Sequence, residues 1–337
     1  MRARKALRIL LITACSALVP AAALAAPGDK CERLSRAVRA LTASASPKAT
    51  AAQATSYGLS LPQRVEEGKP LVVLVHGLDC DRASWGGLRK LLSAEGYQTA
   101  YYAYPSDQPI ADSASLFGEQ LEAFRRAHPW TPITVLAHSM GGLVSRAYIE
   151  GDDYAGGVER LIMIAPPNAG SKWACYRAAL EVDEHYHLWR HEKNWSPTWM
   201  ITDGLGEAGR DLRPGSKFLR ELNARPRRPG VKYTIIAGNL HPARRITADC
   251  LDATSRLVPR RASSWWGMRH CKEELEDRAD RMRAAASRSD GPVKLHSARL
   301  QGVDDFVVIH ADHASLYLPN GRLPSAAWEV IRDRLAR

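Results

Sequence analysis

The chain has 337 residues, 47 Lys and Arg against 36 Asp and Glu, a formal net charge of +11 and 45% hydrophobic residues. That length suits one large α/β domain with insertions, or two domains. The basic residues are scattered, densest at Arg225 to Arg228, Arg244-Arg245 and Arg260-Arg261, and no nucleic-acid motif accompanies them, so a nucleic-acid partner is excluded in favour of a solvated surface compatible with anionic membranes.

The N-terminus reads as a signal peptide over residues 1–25. Arg2, Arg4, Lys5 and Arg8 precede an apolar run from Ile9 to Leu24, and Ala23-Leu24-Ala25 supplies an A-x-A cleavage site. Loss of those four basic residues would lower the net charge by four. A competing lipobox, Ile12-Thr13-Ala14-Cys15, would anchor the protein through Cys15, but the apolar run before Cys15 is short and continues past it. Pro20 and the Ala-rich end leave the run too short for a retained membrane span. A periplasmic or secreted location is therefore expected, and export permits disulfides. The remaining cysteines are Cys31, Cys80, Cys175, Cys250 and Cys271, an odd number. Cys250 with Cys271 is the favoured pair because both fall in one polar insertion with little core of its own, and Cys80 with Cys175 is the second pair.

Residues 26–65 carry a short helical pattern (Leu34, Val38, Leu41) and an Ala, Ser and Thr-rich linker without chemistry. The main domain spans residues 66–337. Its first strand is Leu71-Val-Val-Leu-Val75, too apolar to be half exposed and so covered on both faces. A helix around Leu88 to Ala94, a strand from Thr99 to Tyr104 and a helix from about Ala111 to His128 follow. Further strands are expected at Ile133–Ala137, Leu161–Ala165, Tyr233–Ala237 and Phe306–Ile309, with a closing amphipathic helix carrying Ala326, Trp328, Val330, Ile331 and Leu335. Strands alternating with helices predict an α/β fold with a mostly parallel, doubly wound sheet. Two insertions interrupt it, at about residues 172–230 and 239–289. They hold Trp173, Trp189, Trp195, Trp199, Trp265 and Trp266, which read either as a lid over an apolar substrate or as each insertion's own small core.

The chemistry centres on Ala137-His-Ser-Met-Gly141, where a buried strand ends on Ser139 and a helix begins at once. Such a turn presents the hydroxyl at a sharp tip, with the free amides of the helix N-terminus pointing at whatever the serine attacks. This is G-x-S-x-G with Ala137 for the first Gly, and small residues are needed because the strand and helix backbones nearly touch there. A serine needs a base and the base an orienting acid, here in the chain order Ser, acid, His. Asp290, in the turn Ser289-Asp-Gly291, is the candidate acid, and His313, beyond the last strand, the candidate base; an ordinary Ser-Asp-Gly turn is the bland alternative for Asp290. His310 is the competing base, His296 and Asp252 are lesser alternatives, and Asp304, Asp305 and Asp312 are other carboxylates nearby. His138 reads as a neighbour that shapes the turn. An oxyanion needs two preorganised amides: Met140, after the serine, and Leu78, in His76-Gly77-Leu78, where Gly77 allows close approach. His185, His187 and His191 have a loose metal-like spacing without a supporting Cys or paired-carboxylate pattern, so no metal is expected.

Taken together these residues resemble the α/β-hydrolase superfamily, and within it the bacterial triacylglycerol lipases, a small group of which has an A-H-S-M-G turn, and the related GPI inositol-deacylase-like hydrolases. The likeness rests on Leu71 to Leu78, Val135 to Tyr148, Ile164 to Ser171, Asp211 to Leu219, Ser289 to Leu300 and His310 to Leu316. It implies an α/β-hydrolase fold with helical lid or cap insertions, Ser139 as nucleophile, Asp290 as acid, His313 as base, and Leu78 and Met140 as the oxyanion hole. It also implies hydrolysis of carboxylic esters through an acyl-enzyme, with small-molecule or lipid acyl esters as substrates and transient contact with a lipid surface. Some larger lipases carry structural calcium; no aspartate pair here can be assigned to it, and no cofactor is expected. The same triad could serve an acyltransferase, thioesterase or amidase, or stand in a non-catalytic binding protein of this fold.

Overall fold

The computed structural model describes residues 57–337 apart from 79, 81, 107, 172–206, 257–265 and 320–322, and for 266–271 the backbone alone. Seven strands form one sheet: β1 (Gly58–Ser60), β2 (Leu71–Val75), β3 (Gln98–Ala103), β4 (Ile133–His138), β5 (Val158–Ile164), β6 (Lys232–Gly238) and β7 (Phe306–Ile309). Their order is β1-β3-β2-β4-β5-β6-β7. All pairs are parallel except β1 with β3. The helices are α1 (Gly86–Ala94), α2 (Ile110–Ala127), α3 (Met140–Ile149), α4 (Glu207–Asp211), α5 (Lys217–Ala224), α6 (Pro242–Arg256), α7 (Trp266–Ala286), α8 (Leu295–Ala298) and α9 (Trp328–Leu335).

The strand pleat divides the central side chains between two cores. Leu71, Val73 and Val75 of β2, Val135 and Ala137 of β4, and Leu161 and Met163 of β5 face one side, where Phe117 and Leu121 of α2 and Leu143 and Val144 of α3 cover them. Val72 and Leu74 of β2, Leu136 of β4, and Ile162 and Ile164 of β5 face the other, against Leu88 and Leu92 of α1 and Trp328 and Ile331 of α9. Burial on both faces is why these strands are continuous apolar runs and why the sheet is parallel.

Three features depart from the sequence reading. The stretch taken as a linker contributes β1, an edge strand held by antiparallel pairing of Gly58, Leu59 and Ser60 with β3 rather than by an apolar run. The end of the first expected insertion joins the main core through Ala208, Leu212, Leu219 and Leu222. The expected Cys250–Cys271 bridge is not formed: Cys250 is an exposed thiol on α6. Its helical hairpin with α7 is instead tied by ion pairs such as Arg283 with Asp252 and Asp249. Cys80, expected to pair with Cys175, is likewise a thiol, with its Sγ 3.3 Å from the Tyr317 hydroxyl. The signal peptide, Cys31, Cys175, the first four insertion tryptophans, Trp265 and the His185, His187 and His191 group lie outside the described residues, as do the side chains of Trp266 and Cys271. No described helix is long and apolar enough to cross a membrane.

A buried polar hub fixes α3, the helix that follows Ser139, to the rest. The Arg146 guanidinium on α3 donates two parallel bonds to Glu150, at 3.1 Å each, and further bonds to the Asn168 and Asn223 side-chain oxygens at 2.8 and 3.0 Å. Arg227 adds a second cation, 2.6 Å from Glu150 Oε1. Asn168 then donates to the Ala298 carbonyl at 2.7 Å, Ser171 donates to the Pro292 carbonyl at 2.6 Å, and the Ala169 amide donates to the Ser297 carbonyl at 2.9 Å. Helix α3 and the Ser289–Val293 turn are thereby stitched to one loop, residues 166–171. Arg146→Met would leave the Glu150 carboxylate buried with only Arg227 as its counter-charge. We expect a loss of about 3–5 kcal/mol in urea unfolding, and Arg146→Lys should recover little because an ammonium cannot make the two-pronged contact.

Candidate active site

Ser139 stands where β4 ends and α3 begins, with φ 52° and ψ −123°. A non-glycine residue there costs on the order of 1–3 kcal/mol, and the surroundings hold it in place. Its amide donates to the Ile164 carbonyl at 2.8 Å, and its carbonyl accepts from the Gly142 amide at 3.0 Å. A Cβ on Gly141 would lie 2.4 Å from the His76 carbonyl oxygen and 2.6 Å from that of Val75, so only glycine lets the start of α3 sit on the end of β2. A Cβ on Gly77 would lie 2.9 Å from the Ser139 Cβ and 3.0 Å from His138 Nδ1, which places the His76–Leu78 loop directly beside the serine. Among the described residues the Leu78 and Met140 amides donate to no other group, so two N–H dipoles remain available beside the serine.

The loop itself is anchored by aromatics that the sequence reading did not assign. The His76 ring stacks on Tyr104 with centroids 4.1 Å apart, and its Nε2 accepts the Tyr104 amide at 3.3 Å. Its Nδ1 therefore carries the proton and donates to the Gly77 carbonyl at 2.8 Å. The Tyr104 hydroxyl donates to the His76 carbonyl at 2.6 Å. Burial pushes that phenol well above its ordinary pKa, so it stays a donor at any working pH. The only signal in the sequence was the aromatic end of its strand.

Asp290 is buried in the turn after α7, held by its amide to the Val293 carbonyl at 3.1 Å and by the Val293 amide to its Oδ1 at 2.8 Å. Its Oδ2 is 2.8 Å from His313 Nδ1, and its carbonyl accepts the His313 amide at 3.0 Å. A Cβ on Gly238 would lie 2.8 Å from the Asp290 Cβ, so the end of β6 packs straight onto this turn. The competing residues go elsewhere. His310 is exposed, with Nδ1 3.0 Å from Asn239 Oδ1. Asp312 caps its own turn through the Ala314 and Ser315 amides at 3.1 Å each. Asp305 pairs with Arg334 at 2.7 Å, Asp252 pairs with Arg283 in the α6–α7 hairpin, and neither Asp304 nor His296 is bonded to the site. Among the described residues no group of three His, Cys, Asp or Glu side chains could hold a metal ion.

His138 lies between the two halves of the site, 3% exposed. Burial, and next to it the charge of His313, hold its pKa well below the ordinary 6.5. The Ser139 hydroxyl has no hydrogen-bond partner among the described residues, so the structure joins Asp290 to His313 and leaves Ser139 unbonded to either.

The fold and this geometry define an α/β hydrolase. The chain matches the model of the Alpha/beta hydrolase family over residues 72–324, and it belongs to that family. No curated protein matches the sequence. Among solved structures it is similar to the lipase BlEst2 of Bacillus licheniformis in mature form, at 18% identity and TM-score 0.51, over 83% of this chain and 96% of that one. The propeptide form of the same lipase gives 19% identity and TM-score 0.50, over 78% of this chain and 50% of that one. At these identities the likeness is one of fold.

Two outcomes are expected. Gly77→Ala should push the Leu78 amide away from Ser139, lower kcat for ester hydrolysis by about 10²-fold, the scale of losing one backbone donor, and cost about 1–3 kcal/mol in urea unfolding through the clash with Ser139 and His138. The His138 contribution to stability should be present above pH 6.5 and lost as pH falls below it, because the unfolded chain takes up a proton there that the buried ring refuses. The loss approaches about 1.4 kcal/mol per pH unit, measured as the difference in urea-unfolding free energy between the native protein and His138→Gln across that range.

Proposed function

We propose that this chain is an exported serine hydrolase of carboxylic esters, acting on lipid acyl esters through an acyl-enzyme. The observation that carries the reading is the Asp290–His313 bond of 2.8 Å at the rim of the sheet that presents Ser139 between two unoccupied amides. Support for a lipid substrate comes from the tryptophan-rich insertions of the sequence and from a shared fold with a protein described as a lipase. Support for export comes from the charged, then apolar, then Ala-x-Ala pattern of residues 1–25.

In this reading Asp290 Oδ2 accepts the His313 Nδ1–H, which fixes the tautomer and leaves the Nε2 lone pair free. His313 Nε2 removes the Ser139 proton as Oγ attacks the ester carbonyl, and the tetrahedral oxyanion is held by the Leu78 and Met140 amides. The imidazolium, stabilised by the Asp290 carboxylate, protonates the leaving alcohol. Water then enters, gives a proton to His313 Nε2 and attacks the acyl carbon, and the second tetrahedral intermediate collapses as His313 returns that proton to Ser139 Oγ, releasing the acid and the free enzyme.

A fluorophosphonate probe should label native protein at Ser139 and leave Ser139→Ala unlabelled, while that variant loses about 10⁴-fold or more in kcat and folds normally. Asp290→Asn should lose about 10⁴-fold by stabilising the wrong imidazole tautomer. Profiles with p-nitrophenyl esters test the substrate: activity rising with acyl length fits a lipid ester, and activity confined to acetyl and butyryl esters overturns it.

A further inference from the structure

His138 is a buried imidazole that the mechanism above does not use. It ends β4 with its side chain on the same sheet face as Leu136, beneath the loop that carries His313. Its Nε2 lies 3.2 Å from the His313 carbonyl oxygen. A carbonyl can only accept, so Nε2 carries the hydrogen and donates it, and the Nδ1 lone pair is left without a partner among the described residues. The ring is stacked on Tyr317 with centroids 3.9 Å apart and 26° between planes. It also meets the His313 ring at 4.6 Å, tilted by 53°. Tyr317 in turn sits 3.3 Å from Cys80 Sγ, on the loop that carries the Leu78 amide, and 5.4 Å from the Trp85 ring. One imidazole thus joins three parts of the site: its residue precedes Ser139 in the chain, it bonds the backbone of His313, and its Nδ1 faces Gly77.

We infer that His138 is a neutral positioning residue, clamping the His313 loop to the end of β4 by donating Nε2–H to the His313 carbonyl. The inference rests on the serine-hydrolase reading for its kinetic consequence, though not for its tautomer. The two backbone segments, at residues 138–139 and 313, are far apart in sequence, and the His138 bond spans from the first to the second. A second contact, the His313 amide donating to the Asp290 carbonyl at 3.0 Å, holds the preceding peptide plane. Between them the His313 backbone is fixed at both its N–H and its C=O, so the ring can rotate only about its own side-chain bonds. A protonated ring at 138 would add a positive charge beside His313 and oppose formation of the imidazolium. The charged and titratable groups around it are few: His313 and His76, with the Tyr317 hydroxyl and the Cys80 thiol beyond. None of them is an anion that could draw a proton onto His138.

The test uses the full chain with His138→Phe, which keeps a stacking ring and removes the donor, and His138→Gln, whose amide nitrogen can reach the same carbonyl. In the Phe variant kcat and the rate of fluorophosphonate labelling should fall about 10-fold to 100-fold, the scale of a slightly misplaced catalytic group, with KM and the unfolding midpoint near native. The Gln variant should recover most of the rate. Equal activity of Phe and native protein, or equal loss in Phe and Gln, would overturn the clamp. A readout free of activity uses ¹⁵N-histidine spectra of the native protein: residue 138 should hold a neutral Nε2–H ring through about pH 6.5, where a free imidazole is half protonated. A titrating ring or an Nδ1–H tautomer sinks the inference even if Ser139 reacts with the probe. Failure of the probe to label native Ser139, with the neutral Nε2–H tautomer present, would instead remove the hydrolase reading and leave the clamp standing.

Discussion

The contact on which the site depends is the approach of two backbones at Gly141. The first turn of α3 lies so close to the end of β2 that no side chain fits between Gly141 and the Val75 and His76 carbonyls. This packing forces Ser139 into its positive-φ turn, aims the Met140 amide outward from the helix N-terminus, and brings the His76–Leu78 loop alongside. One steric constraint therefore supplies the hydroxyl, the helix dipole and both amides together. The strain stored at Ser139 is held through two neighbouring strands, since its amide reaches Ile164 of β5 and the amide of Ala165, next to Ile164, reaches Ile236 of β6.

Positioning of the other half comes from polar groups that have left water. Arg146, Glu150 and Asn168 are buried, and each is satisfied by several partners rather than by one. Such a hub adds little net stability over a well-packed apolar alternative, but it penalises any arrangement that breaks it. Its geometric consequence is that the helix behind Ser139 and the turn that carries Asp290 share the loop at 166–171. Tyr104 does the same on a smaller scale for the His76–Leu78 loop. These side chains lie one layer behind Ser139 and Asp290, and their burial makes their positions less adjustable than those of exposed loop residues.

How much of this was legible in the sequence depended on the range of the forces involved. The central strands were visible because a strand buried on both faces must be continuously apolar, as Leu71–Val75 and Leu161–Ile164 are. The Ser139 turn was visible because its steric demand falls on neighbouring residues, Ala137, Gly141 and Gly142. Strand β1 was not, because an edge strand of three residues is held by backbone pairing that leaves no mark on side-chain pattern. The cysteine pairing was misjudged: spacing and polarity suggested Cys250 with Cys271, whereas in the fold the hairpin around Cys250 is closed by ion pairs and the thiol faces outward. The turn holding Asn168 was visible only as part of the family likeness over Ile164 to Ser171, without its bonds to Arg146 and Ala298, and Tyr317 carried no readable sign, since a tyrosine near a loop is common.

By itself, then, the sequence determined the alternation of strands and helices, the doubly wound sheet and the one sharp turn at Ser139, because each follows from side-chain burial or backbone sterics within a few residues. Only the tertiary structure decided which carboxylate meets which imidazole. Asp290 rather than Asp305 or Asp312 lies 2.8 Å from His313 because the α6–α7 hairpin returns the chain to the end of β6, against Gly238. Chain order and turn position named Asp290 and His313 as candidates, but their contact depends on the closure of a long loop, and the energy that closes it is spread over contacts from elements distant in sequence.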